Sequence, residues 1–378
     1  MTTYYTAQSC DLSEFQSLCA QSLAPEDVPH AHEIAQNVPI YDVAQCDLIT
    51  PQGRSNLLAE WATNIGQGSG IVVLRGAYAD TQPIDAATAV FEQIIQDEAD
   101  HAAADHFSAA GNNARIWNSL QKLCLRAPDV FALYFGNTSI AAISEAWLGP
   151  NYQMTSQVNL VRPGGAAQQA HRDYHLGFQT DDVSSTYPSH VHALSPALTL
   201  QGAVAHTDMP VESGPTKLLP FSQAYLAGYA AWRRPDFRDY FEANCIQLPL
   251  AKGDALFFSP ALFHAAGANE SADVQRMANL LQVSSAFGRA METIDRVAMC
   301  KAMYPAMQVS DMSSADQAAA IAACAEGYSF PTNLDRDPPV GGLAPQTQAA
   351  LFRQAIAEDW PRERFYSALE AQNDRQRA

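Results

Sequence analysis

The sequence predicts an α+β protein in which an antiparallel β-core, a barrel or jelly roll, carries helical N- and C-terminal additions. Short strand-like runs separated by Pro and Gly turns follow one another between about residues 152 and 290, with one helical interruption. Helical patterns dominate residues 84–148 and return after residue 290. Hydrophobic residues make up 47% of the 378 and charged residues only 16%, so the chain can bury a sizeable core.

The segment before the core is predicted to be mainly helical. Residues 1–50 are short polar stretches punctuated by prolines and are interpreted as an N-terminal extension. Ser55 is predicted to cap a helix that ends near a glycine-rich turn, and residues 71–76 (IVVLRG) predict a short strand. Apolar spacing predicts a helix over residues 84–107, and Thr138 is predicted to cap a later one.

The main domain is predicted to span residues 51–290, with its β-core at about 152–290. A helical insert is predicted at residues 223–241. The C-terminal extension, residues 291–378, is predicted to be helical, and Ser314 with Gln317 fits a capping box. The core strands are predicted at residues 152–161, 197–209, 216–222, 245–259, 261–267 and 276–287.

Composition narrows the class of protein. The formal net charge is −18, and no basic run is present that would neutralise phosphates, so nucleic acid is not an expected partner. No apolar run reaches 18 residues, and the first residues lack the pattern of a secretory signal, so no membrane partner is expected. Seven cysteines without a CxxC pair indicate reduced thiols. We expect a cytoplasmic protein acting on a small molecule; no oligomeric state is predicted.

The segment HRDYHLGF contains a candidate metal motif, His171-Arg172-Asp173. In a strand, residues i and i+2 point to one face, so His171 and Asp173 can approach one metal ion while Arg172 faces away. Non-haem Fe(II) oxygenases use two histidines and one carboxylate on one face of an octahedron, leaving three positions open. His264, at the end of an apolar run, is the candidate third ligand.

Arg276 is a candidate anion-binding residue. It follows His264 by twelve residues, across a predicted hairpin, so both side chains are expected at the same end of neighbouring strands. A buried arginine requires a partner, because an unpaired buried charge is costly. A dicarboxylate cosubstrate supplies that partner through bidentate hydrogen bonds.

Each of these residues also has an ordinary structural interpretation. Taken alone, His171 and Asp173 fit a solvated turn, His264 a satisfied core histidine, and Arg276 a surface ion pair. The order of HxD motif, several strands, histidine, hairpin and arginine within one β-core favours a metal site. A competing HxD motif, His206-Thr207-Asp208, leaves only 58 residues before His264, which is short for the intervening strands and the insert.

Four segments together resemble the phytanoyl-CoA dioxygenase family. The resemblance covers roughly residues 55–290 and implies a double-stranded β-helix (jelly-roll, cupin-like) core. One departure lies in the segment after the glycine-proline turn, where Gln223 replaces a histidine that is usual in the family but does not bind iron. The segments are QQAHRDYHLGF, ESGPTKLLPFSQ, GDALFFSPALFHAAGANES and QRMANLLQVSSAF.

The resemblance implies specific roles for these residues. His171, Asp173 and His264 match the Fe(II) ligands, and Arg276 matches the residue that binds the 5-carboxylate of 2-oxoglutarate. Such enzymes consume O2 and 2-oxoglutarate, release succinate and CO2, and oxidise a substrate C–H bond. Related halogenases lack the carboxylate ligand, so Asp173 favours hydroxylation or desaturation.

The resemblance extends less specifically to residues around the motif. Gln157 and Asn159 share a strand face, and both are candidate cosubstrate-binding residues. They also fit polar residues lining a barrel mouth. Tyr174, His175 and Phe178 follow the HxD motif and are candidate substrate contacts. The substrate itself is not predicted.

Two other functions remain compatible with the sequence. A cupin-like metalloenzyme can use a His-Asp-His set without 2-oxoglutarate, although the position of Arg276 disfavours it. A non-catalytic jelly-roll binding protein can retain the motif without turning over a substrate.

Overall fold

Two β-sheets pack against each other in the computed structural model of the protein, which describes residues 4–98 and 113–378. One sheet has eight strands and the other has two. The strands are β1 (Glu33–Ala35), β2 (Val38–Asp42), β3 (Ile71–Arg75), β4 (Asn113–Ile116), β5 (Gln153–Val161), β6 (Thr199–Ala205), β7 (Lys217–Leu218), β8 (Ala255–Phe258), β9 (His264–Ala265) and β10 (Arg276–Ser284).

The large sheet has the order β1-β2-β3-β8-β6-β10-β5-β4, and its neighbours are antiparallel except for the parallel pair β2 and β3. In the small sheet β7 pairs with β9, and single bridges extend it through His171 to His264 and through Leu218 to Ile246. Two antiparallel layers of this kind confirm the predicted α+β jelly-roll class. The strands β1, β2 and β4 of the large sheet were not predicted from the sequence.

The large sheet is buried on both faces. In β3, Val72 and Leu74 pack into a core shared with the helices, while Ile71 and Val73 pack into a second core against the small sheet. The strand β8 alternates in the same way. Strands buried on both faces have nearly continuous apolar sequences, which explains runs such as IVVL and ALFF.

Helices cover the outer face of the large sheet and both chain ends. Within the described ranges no helix is both long and apolar enough to cross a bilayer. The helices are α1 (Leu12–Cys19), α2 (Pro51–Gln67), α3 (Gln82–Glu98), α4 (Ser119–Arg126), α5 (Pro128–Phe135), α6 (Thr138–Leu148), α7 (Asp181–Ser184), α8 (Ser189–Ala197), α9 (Gly228–Ala231), α10 (Pro235–Asn244), α11 (Arg296–Gln308), α12 (Ser314–Cys324), α13 (Gln348–Ala357) and α14 (Arg362–Gln376).

The segments at both chain ends are packed into the fold. Phe15 of α1 is fully buried against rings that include Phe237 and Phe263, below the small sheet. The helices α11 to α14 share one apolar core with α4 to α6 and with the outer face of the large sheet. The C-terminal helices predicted from sequence are therefore present and contribute to the main core.

Three predicted helix caps are displaced by the local chemistry. The helix predicted to start at Ser55 begins at Pro51, because Thr50 accepts a hydrogen bond from the Gly53 N–H and proline suits the first helical position. Asn137 rather than Thr138 caps α6. Ser313 rather than Ser314 caps α12, where its hydroxyl accepts from the Asp316 N–H.

Two predicted helices have different limits. The insert predicted at residues 223–241 is divided into α9 and α10, because Pro235 cannot continue a helix and instead opens the second one. The helix predicted over 84–107 corresponds to α3 as far as Glu98, and its remaining residues lie outside the described ranges.

Arg172, the middle residue of the HxD motif, anchors this part of the fold. It is buried, and its Nη2 donates to the carbonyl oxygens of Ser222 (2.5 Å) and Tyr225 (3.0 Å). A Cβ on Gly228 would stand 1.9 Å from the Arg172 Cζ, so only glycine fits there. The guanidinium thus needs a glycine in α9 to reach its carbonyl partners.

We expect Gly228→Ala to destabilise the protein by about 1–3 kcal/mol, because the added methyl overpacks against Arg172. Helix propensity alone would give the opposite sign, since alanine is the better helix former. Chemical denaturation of the two proteins measures the difference. In an Arg172→Met background the same substitution should cost clearly less; an equal cost in both backgrounds would contradict the proposed clash.

Candidate metal centre

His171, Asp173 and His264 meet at one point between the two sheets. Their ligand atoms all lie within 4.8 Å of one another, and among the described residues they are the one such group of three His, Cys, Asp or Glu side chains. The His171 Nε2 is 3.7 Å from one Asp173 carboxylate oxygen, and the His264 Nε2 is 3.4 Å from the other. Two imidazoles and a carboxylate therefore converge as the spacing predicted.

The backbone fixes the two histidines side by side. The His171 N–H donates to the His264 carbonyl at 3.0 Å, and the His264 N–H donates back at 3.1 Å. The Asp173 N–H donates to the Pro260 carbonyl at 3.0 Å. The expectation that the HxD motif lies in a regular strand is wrong, because only His171 forms a bridge; the alternation of side chains over three residues is nevertheless kept.

Both imidazoles have their Nδ1 atoms occupied by backbone carbonyls. His171 Nδ1 lies 2.8 Å from the Gln169 oxygen, and His264 Nδ1 lies 2.9 Å from the Leu262 oxygen. A carbonyl only accepts, so each Nδ1 carries a proton, and Nε2 is the nitrogen of each ring that is left to bind a metal ion. This tautomer is the one that a metal ligand requires.

Asp173 is held as a carboxylate. Gln201, on β6, donates from its Nε2 to the Asp173 Oδ2. Burial raises the pKa of Asp173, but the interactions with His171, His264 and Gln201 outweigh burial and hold the pKa well below its usual range. Burial, followed by the neighbouring His264, lowers the pKa of His171, which favours its neutral form. The protonation states suit a cation between the three groups.

The three residues line a cavity of about 610 Å³ between the sheets. Such a volume is in the range of small-molecule sites, and the wall is largely apolar with a few polar groups. Its charged and imidazole side chains are few, and it contains no lysine among the described lining residues. These groups are Arg115, His171, Arg172, Asp173, His264 and Arg276.

Arg276 lines the same cavity at the first position of β10. Its Nη1 donates to the carbonyls of Ser213 (2.8 Å) and Gly267 (3.3 Å), and burial lowers its pKa to about 10. No carboxylate in the described part of the chain lies within ion-pairing distance of it. The guanidinium is thus buried and charged at neutral pH, with its Nε and Nη2 making no hydrogen bond to a described residue.

Arg276 does not reach the site through the predicted hairpin. β9 belongs to the small sheet and pairs with β7, whereas β10 lies inside the large sheet between β6 and β5. His264 and Arg276 therefore project into the cavity from the two different layers. The long turn after His264 crosses from one sheet to the other. A spacing of twelve residues fits such a crossing as well as a hairpin within one sheet, so the sequence could not distinguish them.

Gln157 and Asn159 both line the cavity from β5, as their shared strand face predicts. Asn159 lies opposite Ala278 in the register, next to the Arg276 end, and its Oδ1 is buried without a hydrogen-bond partner in the described structure. Gln157 donates from Nε2 to the Gln282 Oε1 at 3.1 Å.

The three residues after the motif have different surroundings. Phe178 lines the cavity and is 54% exposed. Tyr174 is buried and His175 half-buried, and neither is among the described residues lining the cavity. The His175 Nδ1 lies 3.3 Å from the Ser195 hydroxyl. Direct contact with a ligand is therefore supported for Phe178 and not for the other two.

The competing motif at residues 206–208 is structural. His206 is buried, with Thr88 Oγ1 at 2.8 Å from its Nδ1 and Tyr134 OH at 2.8 Å from its Nε2. Both ring nitrogens are thus occupied. Asp208 lies near the surface and accepts from the Lys252 N–H at 2.8 Å. The structure separates the two side chains into different environments.

Several residues of the cavity were missed from sequence. Gln201 lies in the apolar run LTLQGAVA and is buried. A single polar residue in an apolar strand was the signal that could have identified it as part of a site. Gln282 is a similar exception in β10. Trp117 and Met291, which also line the cavity, stand in segments without a recognisable pattern.

The comparisons with known proteins agree with this geometry. A sequence model described as phytanoyl-CoA dioxygenase (PhyH) matches residues 66–278, more than half of the chain. The chain belongs to the phytanoyl-CoA dioxygenase family. This membership confirms the resemblance that the four sequence segments indicated.

Two curated relatives are dioxygenases of fungi. The chain is 30% identical over 128 residues to dioxygenase trt7 of Aspergillus terreus, which is 34% of this chain and 39% of the relative. It is 28% identical over 142 residues to dioxygenase andF of Emericella variicolor, which is 36% of this chain and 43% of the relative. The chain matches less than half the length of each.

The solved structures to which the chain is similar have low sequence identity to it and TM-scores below 0.5. One is the non-heme alpha ketoglutarate dependent carbocyclase SnoK from nogalamycin biosynthesis, with a TM-score of 0.43, 21% identity, and 60% of this chain and 83% of that chain covered. Another is AviO1 from Streptomyces viridochromogenes, with a TM-score of 0.44, 15% identity, and 61% and 97% covered.

We expect Asp173→Ala to lower Co(II) affinity at least about 100-fold, because even outer partners of metal ligands change affinity 10- to 100-fold. Asp208→Ala is the matched control and should bind Co(II) like the wild type. Equilibrium dialysis with metal analysis measures both. Loss of binding in Asp208→Ala with binding kept in Asp173→Ala would reverse the assignment.

A second prediction concerns the buried His206. Burial, with a smaller effect of Lys252, lowers its pKa to about 3, against the opposing effect of Asp85. Between pH 6.5 and 3 the unfolded chain binds a proton that the folded protein excludes, so stability falls as the pH falls. From pH 7.5 to 5.0 the wild type should lose about 2 kcal/mol more than His206→Gln in the free energy of unfolding. Equal losses would contradict a neutral, buried His206.

Proposed function

We propose that the protein is an Fe(II)- and 2-oxoglutarate-dependent dioxygenase that hydroxylates or desaturates a small molecule. The observation that carries the proposal is the combination, in one cavity, of a two-histidine, one-carboxylate cluster and a buried arginine without a carboxylate partner. Membership of the phytanoyl-CoA dioxygenase family supports it.

The residues present fit an iron ion. His171, His264 and Asp173 offer two imidazole nitrogens and one carboxylate oxygen, the donor set of non-haem Fe(II) oxygenases. The Nδ1 hydrogen bonds to backbone carbonyls keep both Nε2 lone pairs directed inward. Gln201 restrains the carboxylate by donating to one of its oxygens. All three side chains line the cavity, so a metal ion held by them would be accessible from it.

The residues present also fit a dicarboxylic acid. Arg276 keeps Nε and Nη2 for a bidentate hydrogen bond to a carboxylate, while its Nη1 is fixed by two backbone carbonyls. Asn159 lines that end of the cavity, and its Nδ2, the donor that a carboxylate requires, makes no hydrogen bond to a described residue. We assign the 5-carboxylate of 2-oxoglutarate to Arg276 and a supporting contact to Asn159.

When bound together, Fe(II) and 2-oxoglutarate supply the oxidation of a substrate C–H bond by O2, with succinate and CO2 as coproducts. The chain itself holds the substrate in the cavity and keeps water away from it. Leu256, Phe258 and Leu280 provide apolar wall between the metal cluster and the Arg276 end. Asp173 fills the carboxylate position, which supports oxygenation or desaturation rather than halide transfer.

A cupin-like enzyme that does not use 2-oxoglutarate is the second candidate. It would need the three metal ligands but would give no role to a buried Arg276. The cost of burying an unpaired guanidinium in the cavity wall favours the oxygenase.

The oxygenase proposal is tested by anaerobic titration of the apoprotein with Fe(II) and then 2-oxoglutarate. We expect the weak visible charge-transfer band of this class to appear in the wild type. Arg276→Met removes both hydrogen bonds of the bidentate pair and should raise the apparent Kd for 2-oxoglutarate at least about tenfold, which is the lower limit for losing one hydrogen bond to a charged group.

Arg75→Met provides the control, because Arg75 pairs with Glu33 on the surface and lies outside the cavity. It should leave the titration unchanged. Iron binding without any band, or a band insensitive to Arg276→Met, would contradict the proposal and favour the cupin-like alternative.

A further inference from the structure

The cavity contains a row of three glutamines, of which only Gln201 has been given a role, as the donor to the Asp173 carboxylate. Gln282 of β10 lies directly opposite Gln201 of β6, and Gln157 projects from β5 on the other side of β10. All three line the cavity and are buried. Three amides across three adjacent strands are a polar strip in an otherwise apolar wall.

The hydrogen bonds of this strip have a fixed direction. Arg115 Nη1 donates to the Gln157 Oε1 at 3.4 Å, and Gln157 Nε2 donates to the Gln282 Oε1 at 3.1 Å. Arginine can only donate, so both amides are oriented by it. Gln282 consequently presents its Nε2 outward, and this atom donates to no described residue although it is not sealed from the cavity. The Gln282 Nε2 at the end of the strip is therefore an N–H donor that favours a ligand with a hydrogen-bond acceptor.

The donor lies on the metal side of the cavity, away from Arg276. Gln201, its cross-strand neighbour, donates to Asp173, and directly opposed residues have Cβ atoms about 4.5–5.5 Å apart. Arg276 stands six residues earlier on the same face of β10, which is about 20 Å along a strand. A cosubstrate that reaches from the metal to Arg276 would fill the Arg276 side of the cavity, so the space on the other side of the metal, at the glutamine end, remains for the substrate.

The mouth of this end is apolar. Phe178, Trp117 and Met291 line the cavity from three separate segments and are 54%, 41% and 37% exposed. Single exposed apolar side chains need no explanation, but three at one cavity mouth indicate a binding surface. We call these three residues the apolar collar.

The charges near the collar disfavour a highly anionic substrate. The described lining contains no lysine, and the guanidinium of Arg172 is engaged by the Ser222 and Tyr225 carbonyls. Arg115 lies over the Trp117 ring at 5.0 Å and donates to Gln157, where it orients the amide strip. Recognition of several phosphate groups would call for a cluster of lysines and arginines.

We propose that the glutamine end of the cavity is the substrate subsite and that it takes a large, mainly apolar, uncharged molecule bearing a carbonyl oxygen. The carbonyl accepts a hydrogen bond from the Gln282 Nε2, and the apolar body rests within the collar. The assignment rests on the proposed function, because 2-oxoglutarate at Arg276 determines which end is left. Gln282 is then the specificity-determining residue, and the oxidised C–H bond lies close to the carbonyl.

The test uses progesterone, a rigid uncharged molecule with two ketones, in equilibrium dialysis against the Mn(II)- and 2-oxoglutarate-supplemented protein. We expect saturable binding. Gln282→Leu keeps the shape and removes the donor, so Kd should rise about two- to twelvefold. Trp117→Ala should raise Kd about tenfold or more through lost apolar burial.

Phe287→Ala is the matched control, since Phe287 is 77% exposed but does not line the cavity, and it should leave Kd unchanged. Absence of saturable progesterone binding, preferential binding of palmitoyl-CoA or L-proline, or a Kd unaffected by Gln282→Leu would each overturn the proposal.

The two proposals fail separately, because dialysis requires no turnover. If progesterone binding depends on Gln282 but the Fe(II) and 2-oxoglutarate titration gives no band, the substrate-subsite proposal is supported and the oxygenase proposal is contradicted. If the band appears and depends on Arg276 but progesterone does not bind, the oxygenase proposal is supported and the proposed substrate class is contradicted.

Discussion

The site depends on one reciprocal pair of backbone hydrogen bonds between His171 and His264. These residues are 93 positions apart, and their pairing places two imidazole rings with centroids 4.4 Å apart. Neither segment is a long strand, so the bridge depends on the layer of the large sheet beneath it. Phe258 of β8 contacts the His264 ring from that sheet at 4.8 Å. The packing of the two layers therefore determines whether the side chains of the proposed metal site converge.

Two buried arginines near the site illustrate how surroundings decide function. Arg172 gives its Nη2 to two backbone carbonyls and packs between the rings of Tyr229 and Phe263. It stabilises the backbone under the HxD motif and faces away from the metal cluster. Arg276 also has two carbonyl partners, but they use only its Nη1, and the rest of the guanidinium opens on the cavity. Each guanidinium leaves donors without a hydrogen-bond partner in the described structure. The two residues differ because the Arg172 Nε is sealed among protein atoms, whereas the remaining donors of Arg276 open on the cavity.

Much of the site could be predicted because its signals are local. The HxD spacing requires only that side chains alternate, and His264 and Arg276 stand out as polar residues in apolar runs. The geometry between them was not predictable, since a turn within one sheet and a crossing between two sheets have the same length. Gln201 and the Gln157–Gln282 pair become meaningful only through cross-strand register, which one sequence does not encode. Helix caps were missed by one to five residues where another Thr, Asn or Ser formed the cap.

The central claim is that His171, Asp173 and His264 hold one iron ion, and anomalous diffraction from crystals grown anaerobically with Fe(II) and 2-oxoglutarate tests it most directly. The account predicts one anomalous peak at the iron edge, within about 2.0–2.2 Å of both Nε2 atoms and an Asp173 oxygen, the range of metal–nitrogen and metal–carboxylate bonds. It also predicts density for a dicarboxylate that reaches from the metal to Arg276. A peak at another group of residues, or a fully loaded protein with no peak between these three side chains, would contradict the account.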